Sequence, residues 1–257
     1  MSKEEDVLID RAGLTDKIKK SRIPARLDLL QSLSGLLLFL FMCGHMFFVA
    51  TILLGRDVMW AVTKFFEGYF FTGGKSYPWI VSIVVGVVAV LFVVHAMLAV
   101  RKFPASYKQY HAYRVHMKGM HHGDTTLWIW QVYTGFALFF LASAHLYQMF
   151  FWPENIGPYG SGARMWTDML WPFYLIMLLA IELHGGIGIY RLAIKWCIPN
   201  APRETLRKVK WGLTAFFLII GLLTLVAYMK TGYDHRDHPN ERYTPSWAVD
   251  SVNEGSK

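Results

Sequence analysis

Five long apolar segments limit what this 257-residue chain can fold into. They span residues 29–54, 79–100, 127–152, 169–194 and 211–229. A helix needs about 20 apolar residues to cross about 30 Å of hydrocarbon, and each segment is long enough. Because lipid offers the backbone no hydrogen-bond partners, such segments must be helical. The sequence therefore predicts an all-α membrane protein with five transmembrane helices, the first four of which form a bundle.

Positive charges are distributed unevenly among the connections. Of the 26 Lys and Arg residues, 18 lie in the leader and the second and fourth connections, and 8 lie in the first and third connections and the tail. The positive-inside rule predicts a cytoplasmic N-terminus and an external C-terminus. This topology accounts for the net charge of +8 without nucleic-acid binding, although a basic face also suits an acidic partner or anionic lipid. It predicts a cytoplasmic leader (1–28), a membrane domain (29–229) and an outer polar tail (230–257).

The two connections on the predicted outer side differ in character. Residues 55–78 are strongly aromatic and predict a short helix near the outer membrane interface, ending at Gly73 and Gly74. Residues 153–164 are rich in Gly and Pro, which predicts a turn-rich loop.

Each of the first four apolar segments contains one histidine: His45, His95, His145 and His184. An imidazole in lipid is costly unless it is hydrogen-bonded or ligates a group. Counted at about 1.5 Å per residue along alternating helices, His45 and His145 reach one depth on the outer side, while His95 and His184 reach another on the inner side. Two facing imidazoles are the axial ligands that a low-spin haem iron takes. The pattern predicts two stacked haems in a haem-binding bundle of four helices.

Other roles are open to these histidines. A lone transmembrane histidine commonly forms a hydrogen-bonded helix contact or a proton relay, but four at two matched depths favour ligation. A zinc site would gather its ligands at one depth with help from Cys or carboxylate groups. Small residues near the histidines would let a flat macrocycle approach the backbone, although ordinary helix packing also explains them. These small residues are Gly44, Ser143, Ala144, Gly185, Gly186 and Gly188.

Polar residues at the inner ends of the helices are candidates for binding haem propionates. They are Gln31, Ser32, Trp128 and Lys195. Lys195 lies three helical turns beyond His184, on nearly the same face, so a charge-assisted bond to a propionate is feasible. The alternative is a lysine that extends its ammonium group to the membrane surface.

Two carboxylates are candidates for proton transfer. Glu182 lies inside the fourth apolar segment, where a carboxylate costs about 2.5–3.5 kcal/mol on the insertion scale. It is two residues from His184 and so points to a different side of the helix, which favours proton handling over ligation. Glu67, in the aromatic outer connection, could accept protons from a quinol that enters from lipid. The alternatives are a protonated Glu182 bonded to a neighbouring helix and an ordinary loop acid at Glu67.

Several sequence stretches together resemble a known family. GLLLFLFMCGHMFFVATILLG, HAMLAVRKFP, HGDTTLWIWQVYTGFALFFLASAHLY and AIELHGGIGIYRLAIKW are similar to the di-haem cytochrome b subunit of menaquinol:fumarate reductases. These are succinate:quinone oxidoreductases with a single five-helix anchor, and the similarity extends from about residue 21 to 229.

The resemblance implies roles for the residues already singled out. It makes His95 and His184 the ligands of a proximal haem b, and His45 and His145 those of a distal haem b. Glu67 matches the acid involved in menaquinol oxidation. Glu182 matches an acid on a compensating transmembrane proton pathway.

The resemblance also implies a location and partners. The chain would lie in a bacterial inner membrane, with a flavoprotein subunit and an iron–sulfur subunit on its cytoplasmic side. Two such complexes forming a dimer is a further possibility under this resemblance. The same scaffold could run in reverse as a succinate:menaquinone reductase. A cytochrome b subunit of a hydrogenase or formate dehydrogenase, and a haem-free transporter or structural anchor, are the further alternatives.

Overall fold

The computed structural model describes residues 22–120 and 123–248. Most of the predicted leader and the end of the predicted tail therefore lie outside the described residues. Within the described ranges the chain is helical and contains no strand. The helices are α1 (Ile23–Ala50), α2 (Arg56–Phe66), α3 (Trp79–Val100), α4 (Tyr107–Met120), α5 (Gly123–Phe151), α6 (Pro158–Trp166), α7 (Trp171–Trp196) and α8 (Arg203–Asp234).

Five of the described helices are long and apolar enough to cross a membrane: α1 with the 3₁₀ turn that follows it, α3, α5, α7 and α8. This confirms the predicted all-α membrane architecture. Apart from α3, whose bounds match, most of these helices extend beyond the apolar segments, and α8 has 32 residues. At about 1.5 Å per residue it is about 48 Å long, so its polar ends reach past the hydrocarbon layer.

The first four spans surround a central space. Helix α1 packs against α3, α3 against α5, α5 against α7, and α7 closes the ring against α1. Helix α8 lies outside this ring, against α7 and α1. Large apolar side chains such as Val87, Phe136 and Val226 are more than 60% exposed on the outer surface, as helices that face lipid require.

Successive spans run in opposite directions, so the bundle has two distinct ends. The Asp28 end holds the beginnings of α1, α5 and α8, the ends of α3 and α7, and helix α4. The Glu67 end holds α2, α6 and the segment that follows α8.

The connections at the Glu67 end differ from the sequence prediction. The short helix predicted over residues 55–78 is present, but it ends at Phe66, and Gly68 follows in the left-handed conformation (φ +79°). Glycine adopts this conformation without steric cost, and so it stops the helix before Gly73.

The predicted turn-rich loop over residues 153–164 is wrong in part, because α6 forms there. Pro158 takes the first position of that helix, where its fixed φ is favourable. Gly162 then packs directly on Gly232 of α8, so closely that a Cβ on either residue would collide with the other backbone. Tertiary packing of small residues thus overrides a composition typical of loops.

Candidate functional site

The four transmembrane histidines line one continuous cavity inside the ring of helices. Its volume is about 1320 Å³, and all eight of the helices α1 to α8 contribute residues to its walls. Pockets for single small ligands measure about 300–1000 Å³. The cavity is therefore large enough for more than one sizeable group along the bundle.

The histidines face each other in the pairs that their depths predict. The ring centres of His45 and His145 are 6.1 Å apart, with an angle of 56° between the ring planes. Those of His95 and His184 are 6.5 Å apart, at 88°. Two metal–nitrogen bonds of about 2 Å, plus about 1 Å from each nitrogen to its ring centre, require a separation of about 6 Å. Both pairs thus have the spacing that bis-histidine ligation of one iron needs.

Hydrogen bonds at Nδ1 orient three of the four rings. His184 Nδ1 donates to the carbonyl oxygen of Gln131 at 3.0 Å. Ser34 Oγ lies 3.1 Å from His95 Nδ1, and the Tyr174 hydroxyl lies 3.3 Å from His145 Nδ1. Such contacts set the tautomer and leave Nε2 as the ligating atom. The His45 ring, besides facing His145, stacks on Phe41 with ring centres 5.8 Å apart.

Two glycines make room for the histidines at the Asp28 end. A Cβ on Gly35 of α1 would come within 2.8 Å of His95 Cε1, and one on Gly135 of α5 within 2.9 Å of His184 Cε1. Real Cβ atoms do not approach so closely, so a larger residue would displace the ring. Each glycine lies on the helix adjacent to the one that carries the histidine.

All four candidate propionate-binding residues line the cavity at the Asp28 end. The Oε1 atom of Gln31 is buried and has no hydrogen-bond partner among the described residues. Ser32 Oγ donates to the Asp28 carbonyl at 2.9 Å, and the Trp128 ring meets Tyr113 at 4.8 Å. Lys195 is ion-paired with the Asp28 carboxylate at 3.1 Å. An unsatisfied acceptor and a cation therefore lie at the same end of the cavity.

Asp28 itself gathers several cations at the rim of this end. Arg101 lies 2.6 Å and Lys102 3.2 Å from its Oδ1 atom, in addition to the bond with Lys195. Arg191 adds a further cation at this end. Its charge acts on the Tyr113 phenol and opposes the rise in pKa that burial causes there. The Asp28 end is thus positively charged, which suits an anionic group.

A buried cation lies at the opposite end of the cavity. Arg164 of α6 is 8% exposed and lines the cavity near His145. Its guanidinium donates to the Asn155 carbonyl at 3.0 Å and contacts Met149 Sδ at 3.8 Å. One backbone carbonyl does not use all of its donors, so Arg164 can bind a further acceptor.

Glu67 follows α2 and is 1% exposed. Its carboxylate accepts a hydrogen bond from Lys64 Nζ at 2.6 Å, one helical turn earlier. Thr63 and Phe66 line the cavity, whereas Glu67 does not. The acid therefore lies directly behind the cavity wall and is balanced by a neighbouring cation.

Glu182 is 2% exposed, and its Oε1 atom has no hydrogen-bond partner among the described residues. It lies outside the lining of the cavity. Leu178 and Gly186, one turn before and one turn after it, both pack on α8, against Gly221 and Thr214. Glu182 therefore lies on the side of α7 that packs on α8, and its position two residues from His184 turns it to a different side of the helix from that imidazole.

The sequence of this chain is similar to those of known membrane proteins. Residues 107–223 match the family described as Succinate dehydrogenase/Fumarate reductase transmembrane subunit. The fumarate reductase cytochrome b subunit of Wolinella succinogenes is 50% identical over 245 residues, which cover 93% of this chain and 94% of that protein. The chain belongs to the family of fumarate reductase cytochrome b subunits.

Fumarate reductase cytochrome b subunits from two strains of Helicobacter pylori agree with this assignment. Each is 48% identical over 236 residues, which cover 91% of this chain and 92% of the relative. The family resemblance noted from the sequence motifs is thereby confirmed. With the five membrane-crossing helices of residues 22–120 and 123–248, the chain is a membrane subunit of this family.

Sequence reasoning missed several residues of the cytochrome b cavity. Arg191 lines it and donates to Gln131 Oε1 at 2.7 Å. Its position seven residues after His184, two turns along one face, was a usable signal. Gly35 and Gly135 had no such signal, because they lie on neighbouring helices. Of the small residues proposed near the histidines, Gly185 and Gly188 line the cavity, whereas Gly44 and Gly186 do not.

Proposed function

We propose that this chain anchors a fumarate reductase complex in the membrane, oxidises menaquinol and passes the electrons along the bundle through two haems b. His45 and His145 would hold one haem, and His95 and His184 the other. The observation that carries the proposal is the facing of both histidine pairs, 6.1 and 6.5 Å apart, across one cavity. The relatives' name, cytochrome b subunit, supports haem b as the cofactor.

The residues at the Asp28 end suit the polar edge of a haem. Gln31, Ser32, Trp128 and Lys195 would bind its propionates, and the pair between Lys195 and Asp28 would rearrange to do so. Bound haem supplies one-electron transfer. The protein supplies a rigid, largely apolar enclosure and fixed imidazole orientations, which tune such a cofactor.

Menaquinol oxidation would occur at the Glu67 end. Each menaquinol that becomes menaquinone releases two electrons and two protons, and fumarate takes up two of each to form succinate. Glu67 would accept a quinol proton, because a buried carboxylate next to the cavity wall is a suitable base. Lys64 Nζ lies 2.6 Å from the Glu67 carboxylate and supplies a counter-charge beside it.

The charge balance of the reaction suggests a role for Glu182. If quinol protons leave at the Glu67 end while electrons move toward the Asp28 end, each electron carries charge across the membrane, at about 2.3 kcal/mol per 100 mV. A parallel proton would cancel this charge. Glu182 is a suitable carrier, because it is buried and its Oε1 atom has no hydrogen-bond partner in the described part of the chain. The polar face of α8 supports this role. That face bears Lys210, Thr214, Thr224 and Tyr228.

The Asp28 end would face the cytoplasm of the bacterial cell, in the inner membrane, and would bind the iron–sulfur and flavoprotein subunits. Its basic groups, set by the positive-inside pattern, support this orientation. The family description also names succinate dehydrogenases, so the same scaffold could support the reverse direction with menaquinone as acceptor.

The test is purification of the native complex followed by haem quantification and turnover. We expect two haems b per chain and menaquinol-dependent fumarate reduction. A single haem per chain would refute the paired-haem arrangement, and absence of b-type absorbance would refute the redox role.

A further inference from the structure

The described part of the chain after α8 folds back over the Glu67 end. We define residues 243–248 as the C-terminal strap. Trp247 packs edge-on against Trp60 of α2, with ring centres 5.3 Å apart. The Tyr243 hydroxyl donates to the Asp57 carboxylate. Pro245 is less than 2% exposed and Ala248 is 2% exposed. Two buried residues thus anchor the strap, whereas Trp247 is 48% exposed.

The residues before the strap fix its path. Arg56, which begins α2, is 3.4 Å from the Asp234 carboxylate at the end of α8. Tyr159 of α6 stacks on His235, with ring centres 3.7 Å apart, and meets Tyr243 at 5.0 Å. The strap is therefore held against α6 through Tyr243 while it contacts α2.

Helix α2 has two functional faces. One lines the cavity through Met59, Val62, Thr63 and Phe66. The other bears Asp57, Trp60 and Lys64, and Glu67 follows on the same face. The spacing of three and four residues places this second set in one row. The strap therefore packs on the row that continues into the Lys64–Glu67 ion pair.

Trp60 connects the strap to the far side of Glu67. It is 5% exposed and contacts both Trp247 and Tyr69, the latter at 5.4 Å between ring centres. Glu67 lies in sequence between Trp60 and Tyr69, so both flanks of the acid are held through one indole. A change at Trp247 can reach the acid through this single contact.

We propose that Trp247 and Tyr243 are positioning residues for quinol oxidation, because the strap holds α2 so that the Lys64–Glu67 pair stays behind the cavity wall. This inference rests on the proposed role of Glu67. Among the described residues, none of the strap lines the cavity. Burial of the Tyr243 phenol and its bond to Asp57 raise the pKa of Tyr243 to about 12, so the hydroxyl remains a donor at neutral pH.

The test compares Trp247→Ala, Trp247→Phe and Trp79→Ala in the purified complex. Trp79 begins α3 at the same end and is 59% exposed, which makes it a matched control. We expect Trp247→Ala to lower quinol-driven kcat per haem about 10-fold, since small misplacements of a reacting group have effects of about this size or larger. Trp247→Phe and Trp79→Ala should stay within about 2-fold of the native complex.

Three further measurements separate positioning from general damage. Haem content and dye-driven fumarate reduction should be unchanged in Trp247→Ala, and hydrogen exchange of the α2 amides should be faster. If Trp247→Ala does not assemble, Tyr243→Phe keeps the ring against Tyr159 and removes the bond to Asp57. It should show the same effects in milder form.

Two results would overturn the inference. One is faster exchange in α2 with unchanged kcat, which would make the strap purely structural. The other is an equal loss of kcat in Trp79→Ala. Glu67→Gln distinguishes the two proposals, because full turnover in that variant refutes the role of Glu67. Lost turnover in Glu67→Gln together with normal turnover in Trp247→Ala refutes only the positioning role of the strap.

Discussion

Gly35 of α1 lies against the imidazole of His95 on α3, so that a Cβ at position 35 would come within 2.8 Å of the ring. The ring is held from the neighbouring residue as well, because Ser34 Oγ lies 3.1 Å from its Nδ1 atom. A single turn of α1 thus sets both the space and the tautomer of a proposed ligand on another helix.

We expect Gly35→Val to displace His95 and to remove the haem at the Asp28 end. Overpacking of a tight site costs about 1–3 kcal/mol, enough to disturb ligation without unfolding the bundle. Reduced-minus-oxidised spectra should show about half of the native b-type absorbance. Gly212→Val is the control, because a Cβ there meets nothing within 4 Å. Native absorbance in Gly35→Val would contradict the proposed ligation by His95.

The histidine pairs should act as two independent units. His45→Ala or His145→Ala should remove the haem at the Glu67 end and leave the other. His95→Ala or His184→Ala should do the reverse or prevent assembly. The reason is that one axial ligand alone does not give a low-spin bis-histidine iron. A redox titration reports each haem, and two intact transitions in any of these variants would rule out the pairing.

Glu67→Gln should abolish menaquinol oxidation while both haems stay bound. The amide has nearly the same shape but cannot accept a proton, and loss of a general base typically costs about 10²–10⁴-fold. Turnover with a menaquinol analogue is the measurement, and dye-driven fumarate reduction is the internal control. Lys64→Met should also lower turnover, because it leaves the carboxylate buried without its cation. Native rates in Glu67→Gln would exclude this acid as the base.

The Glu182→Gln complex should lose quinol-driven turnover mainly in sealed membranes. Without a compensating proton, each electron would work against the membrane potential, about 2.3 kcal/mol per 100 mV or roughly 50-fold in rate. We expect quinol-driven turnover in proteoliposomes to fall and a protonophore to restore it. Haem content and dye-linked activity should be native. Full activity in sealed vesicles, with no voltage generated, would show that the compensating route lies elsewhere.

The proposed orientation can be tested by labelling. A cysteine introduced at Glu241, which is 56% exposed in its side chain, should react with a membrane-impermeant maleimide from the outside of intact cells. A cysteine at Lys208, 76% exposed near the start of α8, should react only in inverted vesicles, since the positive-inside rule places it in the cytoplasm. The opposite pattern would invert the topology.

Much of the site could be predicted from sequence because it depends only on how deep each residue lies in the membrane. The depth of a residue in the membrane follows from its count along a helix, so the pairing of His45 with His145 could be worked out before any contact was known. For the same reason Gln31 and Lys195 could be placed at one end. Glu182 could be directed away from the irons because the angle between residues i and i+2 is set by helix geometry.

The rotation of each helix about its axis, and the helices that it packs against, decided the rest of the site. Gly35 and Gly135 matter because of the helices they face, and an apolar pattern on lipid-exposed helices gives little information about which face turns inward. The ion pair of Glu67 with Lys64 follows a local spacing of three residues, yet its burial depends on how α2 lies on the bundle.

Sequence alone determined the class of this protein, the number of its spans and the levels of its histidines, because lipid imposes length and hydropathy on every segment that crosses it. Only the tertiary structure decided that α6 is a helix, that glycines of neighbouring helices accommodate the imidazoles at the Asp28 end, and that residues 243–248 pack on α2. Those features arise from close contacts between segments far apart in the chain. Such contacts leave no periodic signal, because each depends on the shape of a single partner surface.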